Sequence, residues 1–182
     1  MSNELNGMKV AILLADGFEQ IEMVEPKKAL ENAGAKVYLI SPSKDKVQGW
    51  NHDVHADQFP VDIDLDQANA DDYDALMLPG GVMNPDHLRL LPRAIDFIKQ
   101  IVKANKPIAA ICHAPWTLIN AEAVKGRKVT SWPSIKIDLI NAGANWIDDK
   151  VVRDTNLVTS RKPDDLPAFN PAMIKLFSEG RR

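Results

Sequence analysis

The stretch KVAILLADGFEQIEMVEPKKALENAGAKVYLIS, residues 9–41, decides the fold. Its two ends, KVAILLA (9–15) and KVYLIS (36–41), are short aliphatic runs bounded by turn residues. Apolar character nearly throughout, rather than strict alternation, marks a strand whose sheet is covered by helices on both faces. Between them Met23, Val24, Ala29, Leu30 and Ala33 recur at helical steps over residues 21–33, and Gly34 stops the helix. Strand, helix and strand in that order imply a right-handed crossover and parallel pairing.

The same rhythm continues along the chain. ALML (75–78) and IAAI (108–111) are further buried runs, and Ile95, Ile98, Ile101 and Val102 mark a helix over residues 93–104. The expected fold class is therefore α/β, a three-layer sandwich around a mainly parallel sheet. Residues 47–63 break the rhythm and read as a hairpin or excursion, and residues 146–160 read as a second hairpin turning at Asp154-Thr155-Asn156. The final helix is expected to start near Pro163-Asp164-Asp165, or after the breaks at Pro167 and Pro171, and to run to Gly180. No repeat, low-complexity tract or linker interrupts the 182 residues, so one domain is expected, with residues 1–8 as an N-terminal tail.

Composition narrows the function. Hydrophobic residues make up 45% and charged residues 26%, ordinary values for a globular protein. Lys and Arg number 22 against 25 Asp and Glu, for a net charge of −3, and no basic block stands out, so nucleic acid is not the expected partner. No apolar stretch approaches the roughly 20 residues needed to span a bilayer, and the first nine residues lack the basic cluster of a signal peptide. A single cysteine, Cys112, rules out an internal disulfide and fits a reducing compartment, so a cytoplasmic location is expected.

Ligands of parallel α/β sheets bind at the carboxyl ends of the strands. Three such ends carry unusual chemistry: Asp16 to Glu22 after the first strand, Pro79-Gly80-Gly81 after the third run, and Cys112-His113-Ala114-Pro115 after the fourth. Cys112 falls at a strand-to-helix turn, where a nucleophile can stand on an elbow and where the helix start lowers a thiol pKa from about 8.5. Read alone, a lone cysteine is more often a small buried apolar residue. Gly80-Gly81 allows close backbone approach and N–H groups aimed at an oxyanion, or is a plain tight turn. Glu19 and Glu22, three apart, share a helix face, either as a solvated pair or with one carboxyl buried, protonated and donating to Cys112. Neighbours on a regular helix point apart, so His113 reaches the sulfur only on a distorted elbow. His52 and His55 lack a third ligand in register and read as solvated hairpin residues, so no metal is expected. A phosphate-cradling module is disfavoured by the acids Asp16, Glu19 and Glu22 after the first strand.

AICHAPW around Cys112, the PGG turn, ADGFEQIE and SRKPDDLPAF together resemble the ThiJ/PfpI superfamily, especially its PfpI-like intracellular cysteine peptidases, general stress proteins and deglycases. The resemblance runs from Lys9 to Leu176. It implies a flavodoxin-like sandwich with Cys112 as nucleophile, Glu22 as the acid bonded to it, Glu19 as a neighbouring acid at the subunit contact, and Gly81 with the His113 backbone as oxyanion hole. It further implies a homo-oligomer, dimer or hexamer, in which Asp86, after a one-residue offset, completes a Cys-His-acid arrangement from the adjacent subunit. Ala114 stands where the family usually has glycine, and its methyl group would narrow the pocket. The implied enzyme is a cofactor-free thiol hydrolase of stress defence acting on peptides or on glycated or α-oxoaldehyde-derived substrates. The alternative is a redox sensor or holdase chaperone using an oxidisable Cys112. A class I glutamine amidotransferase is excluded in its usual form, because no histidine follows His113.

Overall fold

A computed structural model describes residues 4–180. In chain order the elements are β1 (Lys9–Leu13), β2 (Phe18–Glu19), α1 (Gln20–Asn32), β3 (Lys36–Ser41), β4 (Lys46–Asn51), β5 (Val54–Pro60), β6 (Ile63–Asp64) and β7 (Ala75–Leu78). There follow α2 (Met83–Leu90), α3 (Pro92–Lys103), β8 (Ile108–Ile111), α4 (Pro115–Asn120), β9 (Lys128–Val129), α5 (Lys136–Asn141), β10 (Asn145–Trp146), β11 (Val152–Asp154), β12 (Leu157–Ser160) and α6 (Leu166–Glu179).

Seven strands form the central sheet in the order β11-β12-β8-β7-β1-β3-β6. Every pairing is parallel except β11 with β12. Successive strand residues face opposite sides, and both sides are core. Ala11, Leu13, Leu76, Leu78, Ile108 and Ala110 join one apolar cluster, with Phe97 and Ile98 of α3 and Leu118 of α4. Val10, Ile12, Ala75, Met77, Ala109 and Ile111 join the other, with Met23 and Leu30 of α1 and Phe169 and Phe177 of α6. This is why the strands read as continuous apolar runs, and the fold is the flavodoxin-like three-layer sandwich expected. From β1 the chain moves outward to β3, then returns to β7 on β1's other side. The crevice at the carboxyl ends of β1 and β7 is thus the topological switch point, where such sheets bind ligands.

The excursion expected over residues 47–63 is the antiparallel β4–β5 hairpin, which pairs with β2 to make a small second sheet, while Ile63 already belongs to β6 of the central sheet. The other expected hairpin is shorter than residues 146–160: only β11 and β12 form it, while Trp146 pairs in parallel with β9. Trp146 is drawn away because its indole N–H donates to Ser131 Oγ (2.9 Å) and the Lys136 ammonium lies 4.9 Å from its ring. The last helix begins after a single turn at Pro163–Asp165 and tolerates Pro171 inside it. Of the expected tail, residues 1–3 lie outside the described residues. Leu5 and Met8, however, are buried, and the Leu5 N–H donates to the Ala33 carbonyl (2.9 Å), so this part is docked. Among the described residues no helix is long and apolar enough to cross a membrane.

Candidate active site

Cys112 follows β8 directly and takes φ = +65°, the left-handed region that L residues seldom occupy. Its N–H donates to the Ser160 carbonyl (3.0 Å), and its own carbonyl accepts from Trp132 N–H (2.9 Å), so strands and loop hold the bend on both sides. The bend turns two adjacent side chains toward each other: Cys112 Sγ lies 3.2 Å from His113 Nδ1. The distorted elbow that contact requires is therefore present. His113 Nε2 lies 3.3 Å from Ser134 Oγ, and its ring stacks on Trp132 (centroids 5.8 Å apart, 23° between planes).

Glu22 sits in the first turn of α1 with no exposed surface. Its Oε2 accepts from Gly80 N–H (3.0 Å), its Oε1 has no partner of its own, and the carboxyl interacts directly with the Cys112 side chain. Burial, then the negative charge of Glu19, raises its pKa from 4.5 to about 8, so the folded protein holds it protonated at neutral pH. Glu19 itself is buried beside it and accepts from His52 N–H (3.0 Å). Gly80 and Gly81 are required sterically. A Cβ on Gly80 would meet Cys112 Cβ and Glu22 Oε2, both at 2.5 Å. Gly81 adopts φ = +77°, and a Cβ there would meet the Gly17 carbonyl oxygen at 2.5 Å.

The thiol differs from expectation. It was expected to be held ionised by its turn and an acidic neighbour, yet burial and the charge of Glu22 push its pKa well above the ordinary value. Only the backbone N–H groups of Gly81 and His113 pull it down. The physical reason is that the elbow leaves Cys112 only 5% exposed beside a carboxyl, ahead of a helix of only six residues. While Glu22 keeps its proton the repulsion vanishes and the amides remain, so that burial alone opposes the thiolate. His113 is pushed down by burial from 6.5 to about 4, and is neutral at pH 7.

Cys112, His113, Glu22, Glu19 and Gly81 all line one cavity of about 480 Å³. Its walls include Trp50 and His52 from the small sheet, Val82 and Met83 at the start of α2, and Trp132. Asp86 is not among its lining residues: it is exposed on α2, and the ring nitrogens of His113 are engaged by Cys112 and Ser134 instead. Ala114 is buried in the core on the α3 side and does not line the cavity, so its methyl does not narrow it. His52 borders the cavity from the hairpin, while His55 packs on Trp50 (centroids 4.4 Å). Among the described residues no three His, Cys, Asp or Glu side chains are grouped to hold a metal ion. Ser134, Trp132, Trp50 and Asn84 were not singled out from sequence. Asn84 is fully buried: its Oδ1 accepts from Ala15 N–H (2.7 Å), and its Nδ2 donates to the Pro79 (2.9 Å) and Gly80 (3.0 Å) carbonyls.

The model of the DJ-1/PfpI family matches residues 8–176. General stress protein 18 of Bacillus subtilis is 43% identical over 175 residues, covering 95% of this chain and 99% of that protein. The putative cysteine protease YraA of the same organism is 44% identical, covering 92% and 97%. Deglycase PfpI of Pyrococcus furiosus is 41% identical, covering 93% and 99%. Among solved structures, Drosophila melanogaster DJ-1beta superposes with a TM-score of 0.83 at 30% identity, covering 99% of this chain and 96% of its own.

Proposed function

The chain belongs to the DJ-1/PfpI family, and on that premise we propose that it is a cysteine-dependent enzyme of stress defence acting on small α-oxoaldehydes or their adducts. Cys112 is the nucleophile in this reading, and Glu22 the proton donor and acceptor. The observation that carries it is the buried pair of Cys112 and a protonated Glu22, which lies complete within one subunit at the wall of the cavity. The relatives named a general stress protein and a deglycase support the same reading. Both activities suit a cytoplasmic protein.

The first step follows from the geometry. The Cys112 thiolate gives an electron pair to the aldehyde carbon, forming an S–C bond, while the C=O π pair moves onto oxygen. The oxygen develops charge near the N–H groups of Gly81 and His113, which aim at the sulfur, and takes the proton held by Glu22. The hemithioacetal and a Glu22 carboxylate result, and that carboxylate is then placed to accept a proton in return. Conversion of a 2-oxoaldehyde to a 2-hydroxy acid consumes one water and no redox partner.

A peptidase is the second reading, favoured by the 3.2 Å contact between Cys112 Sγ and His113 Nδ1 and by the relative named a putative cysteine protease. It asks for an acid on His113, which Asp86 would supply from a neighbouring subunit of a homo-oligomer. The test is turnover of methylglyoxal and of a chromogenic peptide by the wild type, Cys112→Ser and Glu22→Gln. Methylglyoxal loss abolished in both variants supports the reading. A wild type inactive on both substrates, yet suppressing aggregation of a client protein as well as Cys112→Ser does, would replace it with a holdase.

A further inference from the structure

We infer that Asn84 is a positioning residue, a three-way clamp that sets the Gly80-Gly81 turn against Glu22 and Cys112. The inference rests on the site as read above and goes beyond it in assigning a role to a side chain that touches neither substrate nor sulfur.

The observation is one of complete use. Asn84 lies in the first turn of α2 with no exposed surface. Its amide accepts once and donates twice, and all three partners are backbone groups at the ends of the two switch-point strands: Ala15 past β1, and Pro79 and Gly80 past β7. These two loops do not pair as strands there. Apart from the Gly80 N–H bond to Glu22, the backbone link between them is the 3.4 Å bond from Glu19 N–H to the Gly80 carbonyl, a long one. The clamp thus bears on the Gly80 peptide through its carbonyl. The same residue's N–H holds Glu22 Oε2 at 3.0 Å, and the N–H of the next residue, Gly81, points at Cys112 Sγ. Gly81 cannot fix itself, since glycine at φ = +77° is the residue with the most backbone freedom to lose. Removing the amide would leave one buried N–H short of its partner and two buried carbonyls less satisfied, free to relax by turning the Gly80 and Gly81 peptides. Acid and oxyanion donor would then shift together, and displacement of about 1 Å at such a site costs on the order of 100-fold in rate.

The experiment compares Asn84→Ala and Asn84→Asp with the wild type by three readouts: kcat and KM on methylglyoxal, the rate of Cys112 alkylation by iodoacetamide, and Tm. The expected result for Asn84→Ala is a fall in kcat of about 10- to 100-fold with KM changed by less than about threefold. Alkylation at pH 7 should slow by about tenfold or more, because the Gly81 N–H no longer faces the sulfur. Asn84→Asp keeps the shape but presents a carboxylate to two carbonyls. When protonated it can accept from Ala15 and donate to one of them. Its kcat relative to wild type should therefore recover as pH is lowered from 8 to 5, which a mere space-filling role would not produce. A kcat and alkylation rate for Asn84→Ala within about twofold of wild type would overturn the inference. So would a pH-independent deficit in Asn84→Asp, or failure of both variants to fold, since Asn84 would then serve the fold alone. If the wild type does not consume methylglyoxal, the functional reading fails, while the alkylation arm still decides the role of Asn84.

Discussion

Gly80→Ala isolates the geometry on which the site depends. Gly80 is not in the left-handed region, so its backbone admits alanine and the whole effect is collision. The added methyl carbon would stand 2.5 Å from Cys112 Cβ, 2.5 Å from Glu22 Oε2 and 2.8 Å from the Ile111 carbonyl oxygen, all closer than real Cβ contacts. Neither Cys112 Cβ nor the Ile111 carbonyl can move freely, because the elbow is tied to Ser160 and Trp132 by bonds of 3.0 and 2.9 Å. The yielding group is the Glu22 carboxyl, which must leave the Gly80 N–H and recede from the thiol. Overpacking of this kind costs about 1–3 kcal/mol. In a domain of this size that lowers Tm by about 2–4 °C per kcal/mol, so by roughly 2–12 °C. The loss of turnover should exceed what stability explains: a displaced acid predicts about 100-fold lower kcat at a temperature where the variant is fully folded. Circular dichroism melting and methylglyoxal consumption measure the two effects on one sample. A variant with wild-type turnover and a Tm within about 1 °C of wild type would refute the contact between turn, acid and sulfur.

Three further outcomes follow from particular groups. Glu22 carries a pKa of about 8 in the fold against 4.5 unfolded, so its contribution to stability is full below pH 4.5 and is lost as pH rises to 8, by about 5 kcal/mol in all. His113, lowered from 6.5 to about 4, works oppositely: its contribution of about 3 kcal/mol is full above pH 6.5 and is lost as pH falls to 4. The two oppose each other between pH 4.5 and 6.5, leaving a net fall in Tm from pH 6.5 to 8. Glu22→Gln should level that fall, and an unchanged slope would contradict the burial of an acid there. Arg161→Ala strips the buried Asp165 of its 2.9 and 3.0 Å partners at the end of β12, so Tm should drop by about 6–12 °C from about 3 kcal/mol lost; a shift under about 2 °C would contradict this. Asp86→Asn should abolish any peptide hydrolysis that depends on a shared site while leaving methylglyoxal turnover within about twofold. Peptidase activity surviving that change would remove Asp86 from the site.

The fold was legible because its strands are short aliphatic runs buried on both faces, and because Gly34 and the acids at Pro163-Asp164-Asp165 punctuate the helices. Trp146 misled, since its strand pairs by a side-chain attraction to Ser131 that no local pattern announces. At the site, residues in the segments that follow the central strands were legible: Cys112, Gly81 and Glu19 stand where a parallel sheet collects its ligands. Asn84, Ser134 and Trp50 come from a helix, a turn and a separate hairpin, and only tertiary packing brings them there. The protonation states were half legible. A buried Glu22 carboxyl was foreseen as one of two readings, but the same burial also raises the thiol, and the degree of burial is not written in a strand-to-turn motif.

The central claim is that the folded protein keeps Glu22 protonated at neutral pH, so that Cys112 can ionise without repulsion and the proton is on hand for the developing oxyanion. Infrared difference spectroscopy of wild type against Glu22→Gln reads that proton through the carbonyl stretch of a protonated carboxyl. The account predicts a band at pH 6–7 that is absent from the variant and titrates away near pH 8. A spectrum at pH 6 showing only the ionised carboxylate at this position would contradict it.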